Sequence, residues 1–523
     1  MARAVYLLEF ELAYNTYTDL SADWHTPTPL VIERGLEPGE RVAGVGRMTL
    51  GLYNPDGRYT PGHPNAAAGF GVGIGVRLRA VFEGQTHTLF YGRLAGVIPR
   101  GPRGEPVAML TVRDEIAVLE RARLRPFALR FGVTPGALVA DLVAESLTPP
   151  GAHGFWRLAH PAAGLLGDGT SLAGDAAGTD YDAGQSVFPW AGDTWPPGTP
   201  LIDALRDVCA SEGGFFYLRA DGSPAFDDRH ARPRRVEPDA VLSARLSGLR
   251  LEWLEPRRAS RVEVAAYPRE IGAGSVVLWS AGAALRLRPG QTREVVVTFR
   301  DPEQEALIVG AQDVIAPQPG IDYTASTKLD PTHPDAVDVT AFVTVTAQIG
   351  AAGARLTLVN GWEGAQTIYV HGMQLRGVPL RAYRPVTAVV EDDAARFACG
   401  ERVLRVDMPL QDDPTVAADM ARGLLAARSS PLPWLAVHVE GAAGGDLLAH
   451  MLARDVGDRL HLTDAGAGLE EAACFIDGVR HVIDRGGARH RVTWRTSPAD
   501  REAWWLLGRA GYAALGVSTR AGY

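Results

Sequence analysis

Cysteine and lysine are nearly missing from this 523-residue chain, and long apolar runs are missing altogether. The three cysteines, Cys209, Cys399 and Cys474, lie far apart and form no CxxC pair, which argues against a disulfide framework or a zinc site. Buried free thiols are the expectation. Lysine occurs once, at Lys328, and arginine supplies the rest of the 52 basic residues, a bias that reflects a GC-rich genome. No apolar run approaches the ~20 residues of a membrane-spanning helix. Positive charge is in deficit too. A formal net charge of −9 argues against a nucleic-acid surface, which needs a concentrated basic face. The opening MARAVYLLEFELAYNTYTDL sets Glu9 and Glu11 in an alternating strand pattern, without the apolar core or small-residue cleavage site of a signal peptide. Synthesis and retention in a cytoplasm until release are therefore expected.

What is plentiful is turn chemistry. Fifty-nine glycines and 36 prolines favour many short strands joined by turns. An apolar content of 46% with 22% charged residues is that of globular protein, and the length calls for roughly three to five domains. Over residues 1–125 the pattern alternates: Tyr6, Leu8, Phe10 and Leu12, then Val76 to Phe82, Thr88 to Leu94 and Met109 to Asp114. Alternation means one buried and one wet face, as in a barrel or sandwich. A helix over Thr134–Leu147 starts on an N-cap threonine with Pro135 in the first turn. Residues 148–197 read as a long loop within an α+β region, 126–250.

That region holds the most informative stretch, residues 198–226. Leu201, Ile202, Leu205, Val208 and Cys209 recur at helical spacing, Gly213-Gly214 stops the helix, and Phe215 to Leu218 reads as a strand. Asp221-Gly222 supplies the turn of a hairpin that returns at Ala225-Phe226. Further strands at 250–253 and 261–264 open a second β domain, 251–288 and 384–497, with helices at 392–399 and 414–427. Between its two parts, residues 289–383 read as an inserted β-sandwich, and 498–523 as a C-terminal segment.

Three blocks resemble the hub and minor tail proteins of long-tailed bacteriophages. The first runs from Leu30 through Asn54-Pro55-Asp56-Gly57-Arg58-Tyr59 to Phe90-Tyr91-Gly92-Arg93. The second is Phe188-Pro189-Trp190-Ala191-Gly192-Asp193-Thr194-Trp195 with the helix-hairpin unit behind it. The third spans Glu401–Thr496, with Val456-Gly457-Asp458-Arg459-Leu460 and Phe475-Ile476-Asp477-Gly478-Val479 within it. Each is weak alone; their order along the chain is the signal. The resemblance implies a mainly β, multidomain fold with α+β parts: tail-tube-like β-barrel domains, a helix-hairpin domain and the inserted sandwich. It also implies a structural role at the tail tip of a virion, as a homotrimer. Its partners would be the distal tail protein, the tape measure protein and a central fibre or receptor-binding protein, with DNA only passing through. Some such proteins carry an iron–sulfur cluster, for which three scattered cysteines are too few.

No reactive constellation emerges, so neither catalysis nor a cofactor is expected. Gly69 to Gly75 lacks both the GxGxxG spacing and a Walker lysine. Gly169 to Gly174 has one residue too many for a nucleophile elbow. The 13 histidines contain no HExxH. Asp412-Asp413 and Glu391-Asp392-Asp393 precede helices, where carboxylates complement the dipole, and Asp330, Asp335 and Asp338 are weak calcium candidates. Two sets of residues remain as sites. Tyr323, Trp362 and Tyr369 are candidates for stacking on sugar rings, which is the basis of an alternative reading as a receptor- or carbohydrate-binding tail protein. Trp504, Trp505, Leu506 and Leu507 are candidates for docking on a partner.

Overall fold

The computed structural model describes residues 3–99, 106–147, 180–243, 249–254, 257–429, 434–440, 445–499, 503–504 and 519–520. Among the described residues, no helix is long and apolar enough to cross a membrane. Strands dominate, and one sheet of 13 organises the body. In spatial order its main path is Leu249–Leu254, Trp434–Glu440, Arg489–Pro498, Leu469–Asp484, Leu30–Gly35, Gly44–Tyr53, Val107–Arg113, Gln85–Pro99, Gly75–Phe82, Val5–Ala13 and Thr16–Asp19. Arg459–Asp464 joins from the side, and Ala240–Ser243 pairs with it in parallel.

The first and last thirds of the chain therefore form one sheet, with Leu30–Gly35 against the far half of Leu469–Asp484. They also share one core, in which Leu8, Phe10, Ile32 and Leu50 lie with Val437, Leu460, Ile476 and Trp494. The helix Gly445–Ala453 seals it by packing against both Gln85–Pro99 and Trp434–Glu440. The end strands, Thr16–Asp19 and Leu249–Leu254, do not meet, so no barrel closes among the described residues and the barrel expectation is corrected to an open sheet. Alternation specifies which face is dry; whether the two edges meet is decided by strand order, which carries no local signal.

The helix-hairpin unit forms as its residues suggest. Leu201–Glu212 buries Leu201, Ile202, Leu205, Val208 and Cys209, and Gly213 caps it at φ +79. Phe215–Leu218 pairs with Pro224–Asp227. The helix Pro135–Leu147 packs on it around a second core. Part of the expected loop 148–197 is ordered strand: Asp180–Tyr181 adds to the hairpin, and Phe188–Ala191 pairs with Arg130–Val133. Arg261–Ala266, Val386–Glu391 and Val403–Met408 make a separate three-stranded sheet on the helix Pro414–Ser429, with a core of its own.

The inserted β region is larger than its turns suggested. Gln374–Ala382 pairs with both Arg269–Ile271 and Val276–Ser280, and Leu285–Leu287 pairs with Ile368–His371. The excursion leaves at Arg269 and returns at Ala382, which are register partners. Its core, from Leu278 to Leu375, takes no residue from outside that span.

Candidate functional site

Of the three residues singled out in the insertion, Tyr323 is not at the surface. Tyr323 is 4% exposed and donates its hydroxyl to the Val343 carbonyl at 3.0 Å, which makes it a core residue. Trp362 leans on the same core and stands edge-on to Phe342 at 4.8 Å. Tyr369 alternates with the buried Ile368 and Val370 and is half-buried. Trp504 lies in the short strand Ala503–Trp504, which pairs with Thr519–Arg520; Trp505, Leu506 and Leu507 lie outside the described residues.

Four of the carboxylates flagged by sequence serve the backbone, while Glu391 and Asp393 pair with Arg261 and Arg396. Asp392 caps the helix Asp393–Cys399 by accepting from the Ala395 amide, and Asp413 accepts from that of Thr415. Asp330 and Asp338 close tight turns onto Thr332 and Thr340. One serine–histidine pair has nucleophile-like spacing, Ser326 Oγ to His371 Nε2 at 3.0 Å. The serine hydroxyl already donates to the Lys328 carbonyl at 2.6 Å, so the imidazole is its donor and not its base.

A different site is built where the sheets meet. The pairing of Leu469–Asp484 with Arg489–Pro498 slips between Ile476 and Gly478, which leaves Asp477 as the extra residue of a bulge. The Asp477 carbonyl accepts from the Leu36 amide at 2.7 Å, and its side chain turns to Arg232 at 2.9 Å. A glycine is required opposite: Gly35 sits at φ +120, and a Cβ there would meet the Asp477 carbonyl oxygen at 2.3 Å. The bulge thus aims a carboxylate into a cleft of two adjoining lobes, about 370 and 540 Å³, that share Leu36, Trp434 and Asp477.

The cleft is rich in arginine. Eight arginines line it against five carboxylates. Arg232 is only 9% exposed; its guanidinium lies 4.1 Å from the Phe215 ring centre and 5.3 Å from that of Phe475, and its Nε and Nη2 find no acceptor among the described residues. Arg428, in the last turn of Pro414–Ser429, stacks on Trp434 at 5.0 Å. Burial, followed by the neighbouring Arg41 and Arg257, pushes its pKa below the usual arginine value. Neither the Arg428 nor the Arg257 guanidinium has an ion-pair or hydrogen-bond partner among the described residues. Arg495 is held by Glu37 at 3.1 Å and by the Leu36 carbonyl at 2.9 Å, and Arg405 by Glu263 at 2.9 Å. Two glycines make room: a Cβ at Gly39 would meet Arg257 Nη1 at 2.6 Å, and one at Gly478 would meet Arg495 Nη2 at 2.7 Å.

Sequence reasoning missed this cleft. Its arginines come from separated segments of an acidic chain, so neither composition nor a local motif reveals it. The only local hint was the bulge-prone Asp477-Gly478 inside a strand.

No protein-family profile matches the chain, and no curated protein matches it. Among solved structures, a tail protein from Neisseria meningitidis MC58 aligns over 94% of this chain and 97% of its own, at 13% identity and a TM-score of 0.47. The 43 kDa tail protein of prophage MuSo2 from Shewanella oneidensis aligns over 95% and 98%, at 11% identity and a TM-score of 0.45. A prophage tail protein from Listeria monocytogenes EGD-e aligns over 93% and 94%, at 7% identity and a TM-score of 0.38.

Proposed function

We propose that the chain is a structural baseplate hub, or tail-tip protein, of a long-tailed bacteriophage or phage-derived particle. One observation carries the reading. Blocks resembling hub and minor tail proteins follow one another from Leu30 to Thr496, and strands of the first and last blocks lie side by side, Leu30–Gly35 against Leu469–Asp484. In this role the protein links the tail tube and tape measure protein to the central fibre, contacts the distal tail protein, contributes to host attachment and leaves an axial path for DNA. The role needs no bond-making or bond-breaking step.

The resemblance supplies a threefold assembly, and the free ends of the main sheet are compatible with it. The end strand Leu249–Leu254 leaves Trp253 53% exposed, and at the other end Thr16–Asp19 is short and polar. A head-to-tail ring of three chains covers both kinds of edge in a way that closes, where an open edge invites unlimited pairing. The test is immunogold labelling of particles with antibodies raised against residues 272–379, together with mass photometry of released tips. Label at the tail end distal to the head, and a mass about three times 55.9 kDa, is expected. Label on heads, or a dimer or hexamer within the assembled tip, overturns the assignment.

A further inference from the structure

We propose that the arginine-lined cleft around Asp477 binds a carboxylate-rich peptide segment of a partner protein. The inference stands on the cleft alone and needs no tail assignment. The site is built, not incidental: a bulge places Asp477 inside it, and Gly35, Gly39 and Gly478 leave the space that a side chain would take. Arg232 is spent on Asp477, but the Arg257 and Arg428 guanidinium groups stand at its walls without an ion-pair partner among the described residues. Keeping a half-buried guanidinium such as Arg428 beside other arginines is costly unless an anion arrives to offset it. In a protein of net charge −9, that local excess marks a place where an acidic segment is drawn in against the general repulsion.

The walls choose among anions. Leu36, Leu404, Val406, Leu424 and Trp434 line the cleft together with the guanidinium groups, which suits a peptide carrying apolar side chains as well as carboxylates. Single carboxylates also fit better than polyanions here, because Glu37, Glu40 and Asp407 stand among the arginines and would repel a continuous run of phosphates. Guanidinium forks match carboxylates in bidentate geometry, so affinity and orientation come together.

The test uses the full chain and fluorescence anisotropy of a labelled peptide of alternating Glu and Leu, with a counterpart in which each Glu becomes Gln and each Leu is kept. The Glu peptide should bind with an affinity that falls as salt is raised, and the Gln peptide should bind at least about tenfold more weakly. Arg257→Gln with Arg428→Gln should weaken the Glu peptide by about tenfold or more. Arg257→Glu, at an exposed position, should weaken it as well. Arg489→Gln, whose ion pair with Glu440 lies outside the cleft, should leave it unchanged. Absence of Glu-peptide binding, equal binding of the Gln peptide, or indifference to the Arg257 and Arg428 variants overturns the proposal. Tighter binding of a labelled oligo-dT that the same variants abolish makes the cleft a nucleic-acid site. Self-association lost in those variants makes its occupant a second copy of this chain.

Discussion

The main sheet and the excursion between Arg269 and Ala382 are both antiparallel β structure, yet they close their cores over very different spans of chain. The excursion's core takes residues only from Leu278 to Leu375. The main core draws on Tyr6 at one end and Trp494 at the other. Polar contacts follow the same division. In the main body a buried ladder runs from the Tyr6 hydroxyl to His490 at 2.8 Å and on to His481 at 3.0 Å, tying Val5–Ala13 to Arg489–Pro498 and Leu469–Asp484. Arg34 reaches Asp455 at 2.5 Å across the same join. In the excursion His333 is exposed and His371 half-buried. One region is a cooperative closure of distant segments, and the other is a local unit set upon it.

The largest effect that sharpens this contrast comes from paired core truncations. Trp494 and Phe299 are both fully buried, one in each core. Either change to alanine should cost about 3–5 kcal/mol where it acts. Trp494→Ala should loosen strands at both ends of the chain together, so that hydrogen exchange accelerates in Leu30–Gly35 as well as in Arg489–Pro498. Phe299→Ala should accelerate exchange only within residues 272–379. Exchange that spreads equally through the molecule in both variants would erase the distinction.

These differences also decide what could be read from the residues. The helix-hairpin unit was legible because every determinant lies within about one helix and one turn: the apolar face of Leu201 to Cys209, the left-handed Gly213, the turn at Asp221-Gly222. Strands such as Thr292–Thr298 and Gly353–Asn360 were legible by composition, but not the boundary of their unit. Leu285–Leu287 looks the same whether it pairs with Ile368–His371 or with a strand of the body. The pairing of Leu30–Gly35 with Leu469–Asp484 is likewise set by tertiary packing, because any alternating strand offers the same dry face. The cleft was hidden for that reason too: Arg232, Arg257 and Arg428 meet only once those long-range pairings have formed.

Acid should sharpen the comparison next. Burial drives the His490 pKa down to about 3, and burial together with His490 and Arg34 drives that of His481 well below its ordinary value. A histidine with a depressed folded pKa contributes stability that is complete above about pH 6.5 and is lost as pH falls from there toward 3. Each such group steepens the loss by up to about 1.4 kcal/mol per pH unit. Asp114, raised to about 7, and Asp207 and Asp458, raised to about 6, act in the opposite sense because burial makes them take protons more readily when folded. The measurement is therefore a difference. His481→Gln with His490→Gln should be less stable at pH 7 but lose less per pH unit between 6 and 4 than the parent chain. Identical acid slopes would show that the ladder does not titrate with unfolding of the body.

The smallest effect on the body should follow the largest change to the chain. Ile271 and Leu380 are register partners, so removing residues 272–379 and joining the two through Asn-Gly makes a two-residue hairpin in place of the excursion. This splice keeps Arg269, whose ion pair with Asp193 at 2.5 Å is almost wholly buried and would be expensive to break from one side. What the body loses is the hydrogen bond from the Ala351 amide to the Phe127 carbonyl at 2.7 Å, the cover that Ala351 and Gly350 give to Pro126, Phe127 and Gly192, and the close approach of Gly310 to Asp193 and of Gly353 to Pro197. Phe127 keeps its edge-on contact with Trp195 at 5.7 Å, so the cost should be about 1–2 kcal/mol, or a few degrees in the thermal midpoint. A splice placed at Arg288 should behave far worse, because it strands Val276–Ser280 and Leu285–Leu287 without their partners. If the Ile271–Leu380 splice collapses the body while the isolated excursion stays folded, the body depends on the unit it carries, and the division drawn from their cores fails.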